Sequence, residues 1–202
     1  EREIVRIARI DPDTFINFIA SYNAPSSGPN AWYPPQKVTV LPDNSPIGMT
    51  CKMHREWQEC ISHYPRVYME APREHAKTTR VTIGRIIWEL GKNPDLRIKV
   101  ISQNDDKTEE IVGAISTHIL INPRVKLVFP NLVPSEFGSW GAHKLFVKRS
   151  IISRDASLEG CGVLSAGVGG RADILFFDDP VDFKNAIMYP SMRETVKNTY
   201  FS

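Results

Sequence analysis

The chain has 202 residues, 42% of them hydrophobic and 24% charged, with a formal net charge of +2. That is the make-up of an ordinary folded domain, long enough for one sizeable core, and the mild basicity permits contact with nucleic acid without arguing for it. Cys51, Cys60 and Cys161 fit neither a disulfide frame nor a zinc spacing. No signal peptide is read, and no apolar run approaches the ~20 residues that span a bilayer, so a membrane is not expected among the partners.

In chain order, DPDTFINFIASYN (residues 11–23) places Phe15, Phe18 and Ile19 on one helical face and predicts a short amphipathic helix. The prolines, glycine and serines of 24–36 predict a loop or clamp, so that 1–45 reads as a lid-like N-terminal extension to a core over 46–202. Residues 46–64 read as a second helix, ending before Pro65. PRVYMEA (65–71) is a β-rich run that predicts a strand leading into a loop. Over 78–94, Val81, Ile83, Ile86, Ile87 and Leu90 recur at helical spacing, and Gly91 and Pro94 stop the helix. Residues 96–102 predict a strand and 105–121 a helix. Strand-like 144–152 and 161–168, joined by the polar turn SRDASLEG, suggest a hairpin. ADILFFDDP (172–180) predicts a buried strand that runs into two aspartates. Strands alternating with helices predict an α/β fold with a mainly parallel central sheet flanked by helices on both faces, and in such sheets sites lie at the carboxyl ends of strands.

The stretch APREHAKTTR (71–80) has the spacing of a phosphate-binding loop, G-x-x-x-x-G-K-[ST], with Ala71 and Ala76 in place of both glycines. The chemistry of such a loop is a ring of backbone amides at a helix N-terminus, a lysine for the terminal phosphates and a hydroxyl for Mg2+. Alanine is the smallest substitute for glycine, and the loop keeps its reach if those φ values stay negative. Arg73 adds a forked cation suited to phosphate oxygens. The bland alternative is a basic turn before an amphipathic helix. In ILFFDDP (174–180), four apolar residues precede an acid, the pattern of a strand that offers a carboxylate to Mg2+. Asp178 is the ligand on this reading, and Asp179 is placed to polarise an attacking water. The alternative there is a strand terminator that caps the next turn. Both halves in order favour a nucleoside-triphosphatase site.

Four stretches together resemble the ATPase domain of the large terminase subunit of tailed bacteriophages, a P-loop NTPase of the ASCE/RecA-like type: MHREWQECI (53–61), VYMEAPREHAKTT (67–79), VISQNDDKTEEIVGAISTHILINP (100–123) and GVGGRADILFFDDPVD (167–182). The likeness spans roughly residues 50 to 200. It implies a Mg2+-dependent ATPase that translocates double-stranded DNA into a procapsid, as a homomeric ring on the portal protein with a small terminase subunit as partner, and as a monomer when unassembled. The place of action implied is the host cell cytoplasm, transiently on the procapsid. Carried onto this chain, Pro72, Arg73, Glu74, His75, Ala76, Lys77, Thr78 and Thr79 form the nucleotide loop. Lys77 pairs with the terminal phosphates, Thr78 and Asp178 hold Mg2+, and Asp179 orients the lytic water. His54, Arg55 and Trp57 either border the adenine or belong to an ordinary amphipathic helix. KRSIISR (148–154) either touches DNA or is a solvated strand edge.

The chain departs from the family at Ala76, where many members have glycine, and at Asp179, where glutamate is frequent. The coupling motif and the nuclease domain of the family do not appear by Ser202, so an excised motor domain without nuclease activity is expected. A helicase-like ATPase and a non-hydrolysing nucleotide-gated module are the competing readings. Arg171 stands a strand's length upstream of the acids, too far to reach its own subunit's γ-phosphate. It is expected to act in trans as an arginine finger or, failing that, to cap a strand end or pair with Asp173.

Overall fold

A computed structural model describes residues 2–20, 39–40, 46–47, 52–72, 74–165, 170–181 and 188–201. The predicted loop over 24–36, Arg73, Gly167 and Gly169 lie outside the described residues. In chain order the elements are α1 (Arg2–Ala8), α2 (Pro12–Ala20), β1 (Thr39–Val40), β2 (Pro46–Ile47), α3 (Lys52–His63), a π-helical segment (Thr78–Gly84) that runs into α4 (Arg85–Lys92), β3 (Ile98–Ser102), α5 (Asp105–Ile121), α6 (Pro123–Val128), β4 (Lys144–Leu145), β5 (Leu158–Gly162), β6 (Ile174–Phe177) and α7 (Pro190–Phe201). Among the described residues no helix is long and apolar enough to cross a membrane.

The chain divides into two compact units, Glu1–Trp88 with Ile121–Pro130, and Glu89–Leu120 with Asn131–Ser202. Among the described residues the regular elements of the first are helices and the short antiparallel pair β1–β2. Asp11 starts α2 by accepting the Thr14 amide at 2.8 Å, and Asn122 starts α6 by accepting the Arg124 amide at 3.0 Å, with Pro123 in the first turn where its missing N–H costs nothing. The Asn122 side chain also donates to the carbonyl of Ile19 at 3.1 Å, which fixes α6 against the end of α2. Phe15 and Phe129 pack with ring centroids 5.2 Å apart in a core that includes Ala8, Ile16, Ile86, Ile87 and Val125. The short helix expected here is present over Pro12–Ala20, with Phe15, Phe18 and Ile19 buried, and its polar Asp13, Thr14 and Asn17 are buried as well.

The second unit holds a four-stranded sheet in the order β4-β5-β3-β6. β5, β3 and β6 are parallel, and β4 joins antiparallel to β5 through Lys144↔Glu159 and Leu145↔Leu158. The fold is thus α/β with a mostly parallel open sheet. Register puts Ile98, Leu158 and Ile174 side by side, then Val100, Gly160 and Phe176 on the same face. α5 lies on that face: a Cβ on Gly160 would stand 2.8 Å from Val112 and 3.0 Å from Thr108, so only glycine admits the helix so close. The opposite face carries a charged row, with Glu159 bridged to Lys144 at 2.8 Å and to Lys99 at 3.4 Å, and a half-exposed Leu175 beside them.

Several sequence expectations need correction. Residues 67–72 form no strand, and Tyr68 is 84% exposed, so the β-rich run has no sheet partner to bury it. The helix expected from residue 78 begins as seven residues of π-helix. Its i→i+5 turns alter which residues face inward, so Arg80, Thr82 and Gly84 are buried where Val81 and Ile83 were expected. The strand expected over 161–168 starts earlier, at Leu158, because Ser157–Gly160 of the supposed turn are drawn into the sheet beside β3 and β4. The helix over 105–121 and the strand ending at the aspartates are both present, though β6 is only partly buried.

Candidate functional site

The loop residues 72–79 belong to the first unit and Asp178 and Asp179 to the second. The loop leads from an extended segment into the helix: Lys77 takes helical dihedrals, and the Arg80 amide donates to the Ala76 carbonyl at 2.9 Å. Lys77, Thr78 and Thr79 are half-buried, while Pro72, Glu74 and His75 are exposed. Glu74 has φ +66° and Ala76 φ +58°. The condition that the alanines keep negative φ therefore fails at Ala76, which occupies a left-handed conformation that favours glycine. Ala71 does not share it. At the position of the motif's second glycine, Ala76 thus holds a backbone conformation that glycine adopts most readily.

Two polar braces hold this loop from behind, and the sequence reading missed both. His54, 6% exposed on α3, donates from Nε2 to the carbonyl of His75 at 3.0 Å. Burial, and then the nearby Arg80 charge, push the His54 pKa down to about 4 against the opposing effect of that bond, so the ring is neutral at pH 7. Arg80, fully buried, donates from Nη1 to Asp13 Oδ1 at 3.2 Å and from Nη2 to Asn17 Oδ1, while the Gln58 side chain donates to its carbonyl at 3.1 Å. Arg85 Nη1 reaches Gln58 Oε1 at 3.3 Å and Ser62 Oγ at 3.0 Å. Burial raises the Asp13 carboxyl above the usual range, more than the Arg80 charge lowers it. Asp13 and Asn17, one turn apart in an apolar helix, were the signal available in the sequence. Of the proposed adenine neighbours, Trp57 packs its ring 5.1 Å from that of His54, and Arg55 extends to Asp13 at 3.9 Å.

In the second unit, β6 ends where expected, at two acids. The Asp178 amide continues the ladder by donating to Ile101 at 2.9 Å, and Asp178 is 3% exposed. Asp179 is exposed with φ +46°, a sharp turn that aims the two carboxylates differently. Beside them lie the carboxyl ends of β3, at the buried Ser102, and of β5, at Gly162. Asp105, the first residue of α5, ties these ends together: its Oδ1 accepts the Gly162 amide at 2.7 Å and the Ser165 hydroxyl at 2.5 Å. Those bonds hold its carboxyl below the usual range. Arg171 stands before β6, at the opposite end from Asp178, and is exposed. Asp173 is not its partner, because Arg97 occupies that carboxylate at 2.6 and 3.0 Å.

Among the described residues no three His, Cys, Asp or Glu side chains cluster as a metal site. Magnesium that arrives on nucleotide phosphates needs only one or two protein oxygens, and a buried carboxylate at a strand end fits that demand. No protein-family model and no curated protein matches the chain.

Proposed function

We propose that this chain is a P-loop ATPase motor domain of the viral large-terminase type, which hydrolyses ATP to move double-stranded DNA into a procapsid. The observation that carries the reading is the combination of Lys77-Thr78 opening a helix with Asp178-Asp179 closing a strand of a parallel sheet. Backbone amides of residues 74–77 and the Lys77 ammonium bind the phosphates. On this reading Thr78 and Asp178 are the residues that would hold Mg2+, which would neutralise charge on the phosphate oxygens. Asp179 takes a proton from water as its oxygen bonds to the γ-phosphorus; the bond to the β–γ bridging oxygen breaks, and ADP and phosphate leave. Arg171 acts on the nucleotide of the next subunit in a homomeric ring. The portal protein and a small terminase subunit are the further partners, and the host cytoplasm is the place of action.

A non-hydrolysing, nucleotide-gated module is the second reading, favoured by the absence of a strand over 67–72 ahead of the loop. Titration calorimetry with a non-hydrolysable ATP analogue, alongside turnover, separates the two. Asp178→Asn weakens Mg2+-dependent binding, whereas Asp179→Asn preserves binding and lowers turnover on the order of 10²-fold or more. Equal loss of binding in both variants contradicts the assignment of roles, and a parent chain that binds without turnover supports the gated module.

A further inference from the structure

α3 presents a buried polar edge to the candidate phosphate loop. His54 and Gln58 stand one helical turn apart on it, 6% and 2% exposed. His54 Nε2 donates to the His75 carbonyl at 3.0 Å, and the Gln58 side chain donates to the Arg80 carbonyl at 3.1 Å. The two bonds bracket residues 76–79, all within the first unit. Trp57 packs against the His54 ring, with 5.1 Å between centroids.

The His54 bond fixes more than a carbonyl. The His75 C=O and the Ala76 N–H belong to one peptide unit, planar and trans, so they point in opposite directions. A carbonyl turned towards α3 therefore turns the Ala76 N–H away from α3. Among the described residues no acceptor takes that amide, although Ala76 is half-buried. Ala76 has φ +58°, and Lys77 after it is right-handed, with φ −54° and ψ −57°. Alternation of the two hands gathers successive amides into a concave anion-binding nest. The helix that follows opens with amides that lack intrahelical acceptors, which extends the row. Alanine disfavours the left-handed conformation, so local preference does not hold the turn, and the bond from His54 supplies an external hold.

We propose that His54 is a positioning residue for polyphosphate: it holds the His75 carbonyl so that the Ala76 amide faces the bound phosphates. This rests on the phosphate-loop reading above. It departs from both roles expected from the sequence, an adenine neighbour and a residue of an ordinary amphipathic helix. His54 acts on the phosphates through the backbone and touches neither them nor the base.

Titration with tripolyphosphate and with a non-hydrolysable ATP analogue, each with Mg2+, tests it by calorimetry and by the amide NMR spectrum of the parent chain. The Ala76 amide proton moves downfield with both ligands, as an N–H does on meeting an anionic oxygen. His54→Leu keeps the apolar bulk but has no donor, and it weakens both ligands by the same factor, on the order of tenfold. His54→Gln, whose amide nitrogen donates from a similar reach, restores most of the affinity. A parent chain that binds tripolyphosphate with its Ala76 amide unmoved overturns the inference, and that measurement needs no variant to fold. A folded His54→Leu that binds tripolyphosphate as the parent does also overturns it. A loss confined to the ATP analogue overturns it too and places His54 beside the base. A parent chain that binds neither ligand instead overturns the phosphate-loop reading on which the inference rests.

Discussion

The His54 side chain, buried on α3, donates from Nε2 to the carbonyl of His75, 3.0 Å away in the candidate phosphate loop. A neutral ring suffices for this bond, and burial makes a charged one costly. With its pKa at about 4 against 6.5 in the unfolded chain, His54 binds fewer protons when folded. Its contribution is fully present above pH 6.5 and is lost as pH falls towards 4, on the order of 3 kcal/mol across that window. Denaturant melts at pH 7 and pH 4.5 measure the loss, and His54→Gln flattens it. Asp13 works in the opposite sense, because its raised pKa adds stability as pH falls through the folded value.

The two positions at which alanine replaces the motif's glycines respond oppositely to restoration. Ala76 has φ +58°, so Ala76→Gly relieves left-handed strain and, after the added unfolded-state freedom of glycine, stabilises by about 0.5–1 kcal/mol. Ala71 is outside that region, and Ala71→Gly destabilises by about 0.5–1 kcal/mol through the same freedom. Equilibrium unfolding of the two variants checks the contrast.

Asp13 and Arg80 are both 1% exposed, which makes their pair costly to break singly. Asp13→Ala leaves the Arg80 charge buried without its carboxylate and destabilises by about 3–5 kcal/mol. Replacing both together, Asp13→Leu with Arg80→Met, recovers most of that loss. A double-mutant cycle in urea reads the coupling directly.

Gly162 lies where the end of β5 meets the start of α5. A Cβ there would stand 2.8 Å from the Asn104 backbone and 2.9 Å from the Asp105 amide, neither of which is free to swing aside. Gly162→Ala destabilises by about 1–3 kcal/mol. Asp105→Ala, which removes the acceptor of the Gly162 amide, costs about 1–3 kcal/mol. Thermal unfolding of both variants checks the pair.

The second unit was the more legible in the sequence. β3 and α5 announce themselves through LRIKVIS and an apolar period that Asp105 and Pro123 bracket, and four apolar residues running into Asp178 identify β6. Local patterning suffices there because strand and helix bury their apolar faces against each other. The first unit hid more. PRVYMEA has strand composition but lies without a strand partner over 67–72, and composition does not reveal pairing. The π-helical start is likewise invisible to an α-helical period, and Arg80 reads as a surface cation until Asp13, 67 positions away, supplies its partner. The motif spacing marked the loop, but the φ of Ala76 and the His54 brace come from tertiary packing.

Mg2+-dependent ATP hydrolysis by the parent chain and by Lys77→Ala, each with and without duplex DNA, tests the central claim most directly. The account predicts turnover that requires Mg2+, rises with duplex DNA and disappears in Lys77→Ala while the variant remains folded. Turnover in Lys77→Ala equal to that of the parent would contradict it, as would a parent chain that neither binds nor hydrolyses ATP.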